Sequence, residues 1–222
     1  MATHISHSGL PFPVKGARYT VEIPYLDADG DPTDPTTPDT ERSIDGADFA
    51  DCTEEVTVIV GSVGAAYITL TGVETNCSSL WLAAKAASGP KTSLVILKPR
   101  VLPIILQGTA QAGAAGSITF AVGTTPYDYT GCIVKTTGGT GGGGAGGVDN
   151  QARLITAFDI DTLIATVEPN FEVTPADDTT YDVLLTDMAA QVDIASLATQ
   201  VAAAIASGER FLKLGNLIVK IA

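Results

Sequence analysis

The strongest constraint in this chain of 222 residues is how short its apolar runs are. Stretches such as AAYITL at 65–70 and KTSLVILK at 91–98 are cut off on both sides by Gly, Pro, Asp or Asn. A run of that length crosses a sheet once but cannot span a bilayer. Many such runs separated by turn residues predict an all-β protein. With 23 Gly and 12 Pro the chain has the turns, and with 45% apolar residues it has material for a core.

The runs fall into two small antiparallel β modules. The first, at 1–100, offers strands at 18–26, 42–44, 55–60, 65–70, 79–86 and 91–98 around the acidic, Pro-rich stretch DADGDPTDPTTPDTE. That pattern predicts a β-sandwich, with Trp81 as a core residue and Asp45-Gly46 as a turn. Residues 99–103 read as a hinge. The second module, at 104–187, offers strands at 117–122, 131–136, 152–158, 162–168 and 181–185, which predicts a small barrel or sandwich.

Residues 188–222 differ. Ile194, Leu197, Val201 and Ile205 recur at spacings of three, four and four. They predict a short C-terminal helix with Asp193 as N-cap and Gly208 as its stop, followed by a terminal strand. A helix this short needs a partner. Its apolar stripe is a candidate oligomer interface, and packing on its own second module is the competing reading.

Formal net charge is −13, which argues against nucleic acid as a partner. The charge is uneven. Residues 22–55 are dense in acid and hold one base, Arg42, whereas 81–103 hold Lys85, Lys91, Lys98 and Arg100 and no acid. These are either two solvated faces or complementary surfaces of neighbouring subunits. No membrane span is expected, and the N-terminal MATHISHSGLPFP has no basic-then-apolar leader pattern. Three cysteines, Cys52, Cys77 and Cys132, cannot all pair within one chain. They are either buried thiols or candidates for an inter-chain disulfide.

Three features invite chemistry. Eight of the ten residues at 138–147 are Gly, which suggests a phosphate cradle. No Lys lies in the run, and β-formers flank it, so strand–loop–strand is expected with a mobile tip unless a neighbouring chain holds it. Asp27, Asp29, Asp31 and Asp34 form D-x-D-G-D-x-x-D and are candidate calcium ligands. The glycine is misplaced for an EF-hand and no closing Glu follows, so an acidic hairpin turn competes. His4 and His7 stand near the N-terminus without a nucleophile elbow to serve. No catalytic set and no cofactor site are visible, and a non-enzyme is expected.

The first module resembles N-terminal β-sandwich domains of tailed-bacteriophage virion proteins, of the kind found in baseplate upper proteins and fibre adaptors. The matching stretches are the D-x-D-G turn at 27–31, Ile44-Asp45-Gly46 with Phe49, Tyr67 to Thr71, and the strand at 94–97. The second module looks like another phage structural module. It shares Gly116–Phe120, Tyr129 with Gly131 and Ile133, the glycine loop with Gln151-Ala152-Arg153-Leu154-Ile155, 165–169, and 180–183. The glycine run is longer than usual, and Phe120 stands where Leu is common. The resemblance implies a non-enzymatic virion structural protein of the collar, neck, tail or baseplate. Its partners would be itself, as a homotrimer, and other virion proteins, after synthesis in host cytoplasm. A module that binds a host glycan is the alternative.

Overall fold

The computed structural model describes residues 9–88, 90, 92–124, 127–142, 149–186, 210–214 and 217–221. By its internal contacts the chain divides into two units, Met1–Leu185 and Thr186–Ala222. The first unit is all β. Its strands are β1 (Tyr19–Pro24), β2 (Thr36–Ile44), β3 (Ala50–Asp51), β4 (Thr57–Val58), β5 (Ala65–Leu70), β6 (Leu80–Ser88), β7 (Ser93–Leu97), β8 (Ile104–Thr109), β9 (Ala112–Ala114), β10 (Ser117–Thr119), β11 (Ile133–Gly138), β12 (Ala152–Asp159), β13 (Ile164–Glu168) and β14 (Thr180–Leu184).

Strands β1 to β7 build the expected sandwich. One sheet runs β3-β2-β6-β7 and the other β1-β5-β4. Alternation is the cause: on β5, Ala66, Ile68 and Leu70 point inward, and on β6, Leu80, Leu82 and Ala84 meet them with Ile23 and Tyr25. Two expectations change here. Strand β2 starts at Thr36, inside the stretch read as a long turn, and Pro38 pairs with Ala86 of β6. The other side of β2 is met by β3 only at Glu41 and Arg42, so Pro38 sits where no ladder needs its missing N–H. Trp81 is 38% exposed rather than core, because it alternates with the buried Leu80 and Leu82 and falls on the outer face.

Strands β8 to β14 form one sheet in the order β8-β14-β11-β12-β13-β10-β9. No closed barrel forms among the described residues. Yet the edge strands β8 and β9 are separated in sequence only by Ala110 and Gln111, so the sheet curls until its two edges are consecutive stretches of chain. Its concave face holds Phe120, stacked on Tyr181 at 4.6 Å between centroids and tilted against Phe158 at 5.4 Å. Strands β8 and β9 precede the first strand expected in this module, at 117–122; IILQGTAQAGA has few β-branched residues after Ile105 to signal them.

The other face of that sheet is covered by the segment before β1. Leu10, Val14 and Ala17 pack on Ile133, Ala152 and Leu184. Strand β11 is therefore buried on both sides, which explains its unbroken apolar start. Lys135 and Asp182, paired across β11 and β14, lie toward this strap. Lys135 Nζ donates to the Lys15 carbonyl at 3.1 Å, and Gln107 Nε2 donates to Asp182 Oδ1 at 2.7 Å. Burial pushes the Lys135 ammonium pKa down, and Asp182 opposes that shift.

In the second unit, β15 (Arg210–Leu214) and β16 (Leu217–Ile221) form an antiparallel hairpin where one terminal strand was expected. Ile194, Leu197, Val201 and Ile205, with the helix predicted on them, lie outside the described residues.

Candidate functional site

The glycine loop joins β11 to β12, so the expected strand–loop–strand context holds. Its described part, 139–142, folds back on the chain's own 170–180 segment. The Thr140 amide and hydroxyl both donate to the Asp178 carboxylate, at 2.9 and 3.1 Å. The Thr179 hydroxyl donates to the Thr140 carbonyl. A Cβ on Gly141 would stand 2.5 Å from the Thr174 carbonyl oxygen, and Cβ atoms on Gly139 and Gly142 would collide with Asp178 and Thr136. Glycine is required here for close backbone approach. A carboxylate of the chain already sits on the amide that a phosphate would use, so this part of the loop is no phosphate cradle. The element that holds this part belongs to the same chain; the rest of the run, 143–147, where a mobile tip was expected unless a neighbouring chain holds it, lies outside the described residues.

Two side chains of β12 and its approach pin this arrangement. Gln151 Nε2 donates to the carbonyls of Gly141 (2.6 Å) and Val173 (2.9 Å). Its Oε1 accepts from the amides of Glu172 (2.7 Å) and Val173 (3.3 Å). Arg153 is 1% exposed. Its Nε donates to the Asn170 carbonyl at 3.0 Å and one terminal nitrogen to the Ala152 carbonyl at 2.9 Å. The other terminal nitrogen lies 3.4 Å from Glu172 Oε1. Burial lowers the Arg153 pKa and Glu172 counters it. A buried cation this fully partnered acts as a peg for loops. The Gln-Ala-Arg spacing puts both residues on one face of the strand, which was legible in the sequence; what they grip was not.

A second buried charge was missed. Glu74 is 1% exposed and accepts from the Thr71 amide and hydroxyl (2.8 and 2.9 Å) and from the Thr53 amide (2.8 Å). Arg42 Nε lies 3.2 Å from it. The signal was present, since Thr71-Gly72-Val73-Glu74 has capping-box spacing and the Glu74 amide returns a bond to Thr71 Oγ1 at 3.3 Å.

Among the described residues the four aspartates do not converge on one point. Asp27 Oδ1 accepts the amides of Asp29 (2.9 Å) and Asp31 (3.0 Å), closing its own turn. Asp34 Oδ1 accepts the Gly64 amide at 2.8 Å, on another hairpin. Among the described residues no three acidic, His or Cys side chains converge for a metal. A shallow pocket of about 340 Å³ adjoins the turn, lined by Leu26, Asp27, Asp29 and Ser93 among others.

None of the three cysteines forms a disulfide within the chain. Cys77 and Cys132 are 1% and 0% exposed, so neither presents sulfur to another chain in this conformation. Cys52 is half-buried, and its pKa is pushed up to about 12, first by burial and then by the Glu74 charge. Among the described residues no helix is long and apolar enough to cross a membrane. No family model matches the chain, and no curated protein matches it in sequence.

Proposed function

We propose that the protein is a non-enzymatic structural component of a tailed-bacteriophage virion, a connecting or decorating part of the collar, neck, tail or baseplate that assembles with copies of itself and with other virion proteins. One observation carries the scaffold reading. The side chains best suited to chemistry, Arg153, Gln151, Glu74 and Asp178, are spent on the chain's own loops. The phage reading adds the resemblance of both β modules to virion domains. Labelled antibody on intact particles tests it, and particles that carry none of the protein refute it. Turnover of a polysaccharide, peptide or phosphoester that a point mutation abolishes refutes the non-enzymatic part.

Self-assembly is assigned to residues 188–222, with three copies the expected number. Light scattering on the full chain and on a chain ending at Met188 measures this. The truncated chain is expected to be a monomer; an unchanged oligomer removes the role from this segment. One observation favours host-glycan binding as a second reading: Trp81 offers an exposed ring, 38% accessible, on an outer sheet face. A glycan array on the intact protein, with Trp81→Ala as control, separates the two.

A further inference from the structure

Residues 12–18 of the strap are held from three directions. The first is the stretch between β7 and β8. Val14 forms a parallel bridge with Arg100. The Lys15 amide donates to the Arg100 carbonyl and the Arg100 amide to the Pro13 carbonyl, both at 2.9 Å. The Arg100 guanidinium also stands over the Phe12 ring, 4.1 Å from its centroid. The second direction is the sandwich. Thr75, fully buried between β5 and β6, donates its hydroxyl to the Ala17 carbonyl at 2.7 Å. Its own carbonyl accepts the Gly16 amide at 3.4 Å. The third is the curled sheet. Asn150 Nδ2 donates to the Gly16 carbonyl at 3.0 Å, and the Asn150 carbonyl accepts the Arg18 amide at 2.7 Å. Gly16 has φ of +73°, and a Cβ there would stand 3.3 Å from Lys135 Nζ, so this tight crossing favours glycine.

Two packed modules joined by one short linker move relative to each other unless something else fixes them. Here the chain crosses between the modules twice. It leaves the strap for β1 at Ala17 and Arg18, and it leaves β7 for β8 through 98–103. A single crossing is a swivel; two crossings tied to each other are not. The bridge between Val14 and Arg100 ties them. The far end of the second crossing is fastened as well, since the Pro103 carbonyl accepts the Leu185 amide at 2.9 Å. We infer that residues 12–18 are a lock on the hinge at 99–103. While they are seated, the sandwich and the curled sheet move as one body; when they lift, the modules turn independently. Thr75 and Asn150 are the jaws of the lock. They grip the adjacent carbonyls of Ala17 and Gly16 from opposite modules.

Limited proteolysis of the full chain tests the lock. Trypsin cuts after Lys or Arg but not before proline, so Lys98 is spared by Pro99. Arg100–Val101 is then the susceptible bond between Lys91 and Lys135. Val101 is 76% exposed, so cutting there is limited by release of the backbone rather than by access. Thr75→Val with Asn150→Ala opens both jaws and is expected to speed cleavage at Arg100 by about tenfold or more. Hydrogen exchange in β5 and β12 is expected to stay slow, which shows that both modules remain folded. A natural chain cut at Arg100 as fast as an unfolded peptide of the same sequence overturns the inference. So does a rate that the double variant leaves unchanged. Should the double variant lose protection in β5 or β12, Asn150→Ala alone takes its place and is judged by the same two outcomes.

Discussion

The sandwich and the curled sheet are stabilised by different means. In the sandwich two sheets bury aliphatic residues against each other, Ile23, Ile68 and Leu70 on one side and Leu80 and Leu82 on the other. In the curled sheet an aromatic cluster fills the concave side, while Arg153 and Gln151 tie loops at its end. Apolar burial is non-directional and tolerates exchange of similar shapes. Buried polar pegs are directional, and losing one leaves its partners unsatisfied. The contrast predicts a sandwich that degrades gradually under substitution and a curled sheet that fails at a few positions.

The largest effect is expected at Arg153. Arg153→Met keeps bulk but leaves the Asn170 and Ala152 carbonyls without their donor, while Glu172 keeps Arg18 at 3.6 Å, and should cost about 4 kcal/mol in urea unfolding. Hydrogen exchange should rise at 139–142 and 170–175 together. A loss under about 1 kcal/mol would erase the contrast between the modules. Leu82→Ala, in the sandwich core, should cost about 3 kcal/mol with the loops of the curled sheet still protected.

A smaller effect is expected with pH. Cys52 in the folded chain holds its proton to about 12, against 9.0 for an ordinary thiol. Above pH 9 the unfolded chain loses this proton while the folded chain keeps it. Stability is therefore full below 9 and falls as pH rises toward 12. Urea midpoints at pH 8 and pH 10.5 measure the loss, and Cys52→Ser should reduce it. In the folded chain at pH 8, Cys52 should resist thiol reagents that label it after unfolding. The smallest change is expected for Trp81→Ser, about 0.5 kcal/mol or less, because its ring lies on the outer face. A cost near that of Leu82→Ala would mean that this face is covered.

Much of the fold was legible because its signals are local. The run AAYITL became β5 at the same residues, since period-two alternation with β-formers needs no tertiary help. Asp45-Gly46 made its turn, with positive φ at both residues. Strand β3 was missed because Ala50–Asp51 carries no β signal; it exists because β2 offers Glu41 and Arg42 an edge. Strand β2 outran its expected start because β6 supplied a ladder as far as Ser88. Of the candidate site, the spacing of Gln151 and Arg153 was visible but the carbonyls they grip in other loops were not, since Asn170 and Val173 lie 17 and 22 residues on and Gly141 lies 10 back.

Composition and periodicity by themselves determined the all-β class and the acidic balance. Those properties sum over neighbours in sequence, so proximity in space is not needed to read them. Only the tertiary structure decided which face Trp81 occupies, that residues 10–17 strap the curled sheet, and that the glycines at 139–142 serve a close backbone approach. Each of these depends on which distant segment arrives opposite. A glycine looks the same in sequence whether an anion, water or its own chain will stand against it; here it is the chain's own 174–178 segment.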